Sequence, residues 1–463
     1  MYPVGMDKKI YNIGILAYPV LIILAALFYK ERTILLDNSL FLFEILKDDT
    51  FTVQRHRFIA AIPQVLPLLA AKLSLSLKWV MVFYAASFAV YHFVCYLLCG
   101  VVLKNYRLGV VLLVVNTLIV THTFFWGLSE LLLGLSLILP FFALIIDTER
   151  KIPAVLLWFF LAVGTVTICF SHPLAVFPFV FISAFVFISP GIRVNRILLV
   201  AINIGFVLIA VAKKKLLADA YESESIELLR NFKKLFPDYF STYSNIHFVE
   251  TWFSMYYWLP VLFVIVIATY VSDRKWLKML LVLGACVGYS QIVNIAYPTY
   301  LTHEFYKENM YTSLGLFLAL PLVYDVFPRW NKNLVVSVFV LILITSFVRI
   351  GMKQDFYAGR IDWYRGYLDK YGDEKMMVPM GDKPAGTILL PWSSPYEFWL
   401  ISTLERDKTA SIIINNNIES VSWAYDNYRA FVTEWGIFKY KDLNPRYFKF
   451  TDTSRHYSVY MDR

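Results

Sequence analysis

The chain has 463 residues, 59% hydrophobic and 17% charged, whereas a soluble globular chain is about 45–50% apolar and about 25% charged. The apolar excess falls in runs of roughly 17–25 residues, enough to cross about 30 Å of hydrocarbon as helix, which excludes an ordinary soluble domain. The net charge of +9 sits mostly in short loops between those runs, where the positive-inside bias puts it, and so points to a lipid bilayer as partner and not to nucleic acid.

Lys8 and Lys9 precede an apolar run, Ile13–Phe28, with no convincing small-residue cleavage site after it. This reads as an uncleaved signal anchor with its N-terminus inside. Spans are expected at 13–29, 79–103, 108–124, 127–146, 153–170, 174–189, 195–212, 252–271, 276–295, 311–327 and 332–350, eleven in all. Segment 57–77 is apolar too, but Pro63 and Pro67 disfavour a continuous helix there, leaving a surface or re-entrant path. If it does not cross, Lys8/Lys9, Lys104/Arg107, Arg150/Lys151, Arg193/Arg196, Arg274/Lys275 and Arg329/Lys332 share the cytoplasmic side; if it crosses, every later loop flips. The eleven-span topology obeys the charge rule better, although Lys213–Lys215 then stand outside.

From Gly351 to Arg463 the character changes. Gly386–Pro391 and Ala410–Ile414 are β-like runs, and Ile361–Tyr371 reads as a short helix. The expected architecture is a polytopic α-helical membrane domain, 1–350, with a long first external loop, 30–78, and a small α/β extracytoplasmic domain, 351–463. Cys95, Cys99, Cys169 and Cys286 all lie in apolar runs and read as buried small residues, not as a metal or redox set.

His122, His172, His247 and His303 fall at loops or span ends on one side, with Glu130, Glu250, Glu304 and Glu308. The opposite loops are short and basic, so a site belongs on the side with the long loops. Just past the first span stands Asp37, followed by an apolar stretch, Ser39–Leu46, that reads as an interfacial helix, and then by Arg55-His56-Arg57. A carboxylate at the membrane surface suits deprotonating an acceptor or holding a divalent metal, and arginines clamp phosphate bidentately. Helix capping and headgroup anchoring are the plainer readings of the same residues. Glu130 opens a span, where any acid is favourable. His172 sits in Ser-His-Pro, a tight turn in which Ser171 can cap the next helix. Lys213, Lys214 and Lys215 suit either lipid anchoring or a donor phosphate. His303, Glu304 and Lys307 stand among tyrosines, with His303 and Lys307 on one helical face, and fit either sugar stacking or an aromatic belt.

A long first external loop with an acid just past span one, a many-span body and a small C-terminal domain together resemble the GT-C glycosyltransferases. The resemblance covers the layout of the whole chain and few motif residues. It implies a polyprenyl-phosphate-linked sugar as donor, an extracytoplasmic acceptor, and Asp37 and Glu130 as catalytic acids. Arg55, His56, Arg57, His172, Lys213–Lys215, His303, Glu304 and Lys307 would then bind substrate or phosphate. Many members carry a second acid beside the first; here Asn38 follows Asp37, which departs from the pattern for a metal. The implied location is a bacterial inner membrane, N-terminus in the cytoplasm. Two other functions compete: a transporter or flippase, which nearly charge-free spans disfavour, and a non-catalytic membrane subunit whose tail docks a partner.

Overall fold

The computed structural model describes residues 4–146, 152–217, 227–299, 304–372, 375–381, 389–415 and 429–459; the side chains of residues 4–6 and 304 lie outside that set. The chain is a helical membrane protein. Helix α1 (Val4–Leu27) leads through α2 (Tyr29–Thr33) into α3 (Leu36–Asp48). A 3-10 turn (Phe58–Ala61) and α4 (Val65–Lys72) follow. At 1.5 Å per residue α4 reaches only about 12 Å, so 57–77 is too short to span. Pro63 lies in the turn before α4, and Pro67 lies near its start, where no intrahelical amide is lost.

The body continues with α5 (Leu77–Leu97), α6 (Tyr106–Leu118), α7 (His122–Phe125), α8 (Glu130–Ala143), α9 (Ala154–Cys169), α10 (Val176–Phe187) and α11 (Arg196–Leu216). Next come α12 (Tyr243–Ser254), α13 (Trp258–Ser272), α14 (Trp276–Ala296), α15 (Glu304–Pro321) and α16 (Lys332–Tyr371).

The expectation of eleven spans is corrected. Six helices among the described residues are long and apolar enough to cross, or seven if α12 and α13, bent by 90°, count as one. The helices at 106–118, 130–143, 154–169 and 173–187 are shorter. For α6 the cause is tertiary. Its apolar run continues past Leu118, but Arg349 of α16 donates to the carbonyls of Thr117 and Leu118, each at 2.9 Å. Glu308 of α15 accepts from the amides of Thr121 (2.7 Å), His122 (2.8 Å) and Thr123 (2.7 Å), and from the Tyr256 hydroxyl. Backbone freed from helix inside a bundle must find such partners. A partly buried arginine and a buried glutamate thus hold the chain out of helix at 119–121. Helix α6 is buried over almost its whole circumference and needs no lipid-facing length.

The expected boundary at 351 is not a break. Helix α16 runs 40 residues, Lys332–Tyr371, straight through it and absorbs the predicted helix 361–371. Beyond it β1 (Lys375–Val378) pairs in parallel with β2 (Ser411–Ile414) and β5 (Ser458–Val459), and β3 (Ala430–Thr433) pairs antiparallel with β4 (Gly436–Lys439). Helix α17 (Ser394–Arg406) packs on this sheet. Strand β2 falls in the predicted run 410–414, whereas 386–388, half of the other predicted run, lie outside the described residues, and its remainder, 389–391, is not strand but leads into the 3-10 turn Pro391–Ser393.

Nor is α3 a lipid-facing interfacial helix. Phe41, Leu42, Phe43, Ile45 and Leu46 are buried, and Phe43 meets the rings of Tyr396, Trp399, Phe431, Phe438 and Phe448 at centroid distances of 4.9–5.7 Å. The C-terminal region covers the face that the sequence assigns to lipid.

Candidate functional site

Asp37 sits in the first turn of α3, and buried polar groups hold that turn. The Leu36 amide donates to Glu397 Oε1 at 2.6 Å, and Arg360 Nη1 donates to the Ile34 carbonyl at 2.5 Å. Arg360 and Glu397 pair at 2.5 Å and are almost wholly buried, at 1% and 0% exposure. Leu36 adopts φ +43, a left-handed conformation that a leucine keeps only when its surroundings impose it. Asn38 points inward, its amide donating to the carbonyls of Arg32 (2.5 Å) and Phe125 (3.2 Å). The residue after Asp37 is therefore structural, and an acid there could not make those two bonds.

Around Asp37 the chain gathers residues distant in sequence. Arg57, at the start of the 3-10 turn, pairs with Glu130 at 3.2 Å, both side chains nearly buried. Burial, then the Glu130 charge, raises the Asp37 carboxyl to about 6, while Arg55 and Arg57 pull it back. Glu130 lies in the first turn of α8, capped by Ser129, whose hydroxyl accepts from the Leu132 amide at 3.1 Å. The cap is the serine, which leaves the glutamate for Arg57.

His172 completes this face. Its Nδ1 accepts from the Leu174 amide at 3.1 Å, so the imidazole itself caps the 3-10 turn Pro173–Ala175. Ser171, expected as the cap, instead donates back to the Ile168 carbonyl at 2.7 Å. An occupied Nδ1 lone pair puts the proton of the neutral ring on Nε2. Burial, then Arg57 and Lys213, holds His172 well below the usual histidine range. It is a neutral hydrogen-bond donor, not a cation. Gly134 lets α8 approach this turn: a Cβ there would stand 2.5 Å from Ser171 Oγ.

The lysine triplet divides. Lys213 is buried and lies over the Phe170 ring at 5.3 Å, beside His172, whereas Lys214 and Lys215 are exposed. Successive helical residues point about 100° apart, so one face takes one of the three. Arg55 and His56 are exposed in a turn with φ +51 and +59; Arg55 remains within electrostatic reach of Asp37. Lys307 belongs elsewhere. It is buried and donates to Ser244 Oγ at 2.7 Å, beside a network in which Asn245 Oδ1 accepts from Gln291 (2.8 Å) and Asn294 (2.9 Å). That network ties α12 to α14. His303 lies outside the described residues, as does the Glu304 side chain. His122, with Nδ1 3.0 Å from the Tyr357 hydroxyl, is packed into the bundle.

The sequence reading passes over Arg32 and Tyr84. Arg32 is 3% exposed, donates twice to the Ala85 carbonyl (3.2 and 3.0 Å) and lies over the Phe124 ring at 4.3 Å. The Tyr84 hydroxyl is buried with no hydrogen-bond partner among the described residues and feels the Asp37 charge. A lone arginine just past a span was the legible signal for the first; Tyr84 looks like any aromatic of a span.

Among the described residues no group of three or more His, Cys, Asp or Glu side chains is arranged to hold a metal ion. The cation beside the two carboxylates is the Arg57 guanidinium. The arrangement offers a carboxylate of raised proton affinity, a fixed N–H donor and two buried cations on one face. No protein-family model matches the chain, and no curated protein and no solved structure matches it either.

Proposed function

We propose that this chain is a membrane glycosyltransferase of the GT-C kind, moving a sugar from a polyprenyl-phosphate donor to an extracytoplasmic acceptor. One observation carries the reading: Asp37, Glu130, Arg57, His172 and Lys213, from five separate elements, converge where α1 emerges into α3. Asp37 takes the proton of the acceptor hydroxyl or amine as its lone pair attacks the anomeric carbon. The bond from that carbon to the phosphate oxygen breaks, and the electron pair leaves with polyprenyl phosphate. Lys213 and Arg57 offset the growing phosphate charge, and His172 Nε2–H donates to it. Glu130 is a positioning residue that keeps Arg57 turned to the site.

The test uses protein reconstituted in liposomes with radiolabelled polyprenyl-phosphate sugars, scoring transfer to a panel of acceptors. A positioned general base contributes about 10²–10⁴-fold, so Asp37→Asn should lose at least about 100-fold. Equal turnover by wild type and D37N would sink the assignment of the base. Absence of turnover by wild type with every donor and acceptor would sink the transferase.

A further inference from the structure

A cavity of about 570 Å³ lies at the other end of the bundle. Asp7, at the start of α1, pairs with Arg107 of its lining at 3.0 Å, whereas Asp37 follows the end of that helix. The 21 helical residues Asp7–Leu27 put about 30 Å of helix between the two. The proposed transferase site therefore does not account for this cavity.

Four cationic side chains, Arg107, Arg274, Lys275 and Lys278, line it against one carboxylate, Asp325. That carboxylate is already engaged: Lys278 Nζ contacts its two oxygens at 3.0 and 2.8 Å, Tyr270 donates at 2.8 Å, and Lys275 stands at 3.5 Å, itself nearer to Asp273 (3.1 Å), a carboxylate outside the lining that Arg329 also pairs. Arg107 is steadied by Asp7 and by the Tyr324 ring, 5.4 Å away. The cations are thus pre-positioned around a space that keeps a positive excess. Trp276 opens α14 at the rim and is half exposed, as aromatics are at the membrane–water boundary. Most of the remaining wall is apolar. Positive charge at headgroup depth, an apolar flank and a volume within the range of ligand pockets describe a receptor for an anionic amphiphile.

We propose that this cavity binds a phosphate group, and that its source is the headgroup of an anionic membrane phospholipid. The site is separate from Asp37 and does not rest on the transferase reading. Arg274 and Lys275 supply the charge at the mouth, and Lys278 with Asp325 forms the floor.

Native mass spectrometry of the full chain released from nanodiscs of phosphatidylcholine, with and without phosphatidylglycerol, reads retained lipid directly. Wild type should keep phosphatidylglycerol in preference to phosphatidylcholine. Each cation near a headgroup is worth about fivefold, so Arg274→Gln/Lys275→Gln should weaken retention by about 25-fold. Lys104→Gln/Lys332→Gln removes two exposed cations at the same end that do not line the cavity, and should leave retention within about twofold. Inorganic phosphate, titrated against the same protein by thermal shift, separates the sources. Saturable stabilisation by phosphate that R274Q/K275Q abolishes, without lipid retention, keeps the phosphate site and assigns it to a soluble ligand. Equal loss in both double variants, or binding of neither probe to wild type, overturns the proposal.

Discussion

Replacing Glu397 with Gln removes the charge that Arg360 faces while keeping the size of the side chain. Arg360 is 1% exposed and its partner fully buried, with 2.5 Å between them, so the guanidinium would be left inside the protein without a counter-charge. Removing one member of such a pair costs about 3–5 kcal/mol. The Leu36 amide and Ile34 carbonyl that position Asp37 depend on the same two residues, so the turn should loosen with the fold. Arg360→Met/Glu397→Leu separates the two effects. It deletes both charges at similar volume, which for buried pairs is often neutral or stabilising, and should recover part of the stability, the two backbone groups left without partners holding back the rest. It also removes the partners of both backbone groups, so the turn stays loose. Unfolding in mixed micelles of rising SDS content reads stability. Thiol labelling of a cysteine at position 37 reads the turn, since the four native cysteines are buried. Unfolding of E397Q at the wild-type midpoint would refute the reasoning, as would a double variant no more stable than E397Q.

With Asp37 raised to about 6, transfer should fall as pH drops through about 6, measured as a pH–rate profile in liposomes. The stability sign is opposite to that of a salt-bridged acid. A folded value above the ordinary 3.8 of an aspartate means the ionised form is disfavoured in the fold, a cost that grows between about pH 4 and 6 and stays above it. Asp37→Asn should therefore unfold no more readily than wild type at pH 7 while losing activity, and lower stability would mean the carboxylate is structural. Glu130→Gln removes a charge that raises Asp37 and should move the acid limb down in pH, whereas Arg57→Gln should move it up; parallel shifts would show that the two do not act through Asp37. Gly134→Ala places a Cβ 2.5 Å from Ser171 Oγ and 3.0 Å from its Cβ, an overpacking of about 1–3 kcal/mol that displaces the His172 turn. Gly134→Ala/Ser171→Ala, lacking the nearer atom, should regain part of both stability and transfer.

Much of the chain's character is local and could be read directly. Apolar runs had to become helices because lipid supplies no hydrogen-bond partners, and each of the eleven expected segments does contain helix. Pro63 and Pro67 kept 57–77 from forming one continuous span. Asp37, Glu130, Arg57, His172 and Lys213 stood out as polar residues at the ends of apolar runs, and the structure gathers all five. Their company was legible only as membership of one side. Which lysine of three turns inward, and that His172 and not Ser171 caps its turn, depend on what packs opposite.

Helix length was decided by tertiary structure. No local feature stops α6 at Leu118; Glu308 and Arg349, nearly 200 residues or more away, satisfy the backbone that leaves the helix. The apolar face of α3 would suit lipid equally well, and the C-terminal aromatic residues around Phe43 take it instead. Sequence fixes which groups must be buried or satisfied, because transfer from water and backbone pairing are properties of each residue. It leaves open which partner does so, because lipid, a helix and a distant side chain meet the same requirement, and only the packed structure chooses among them.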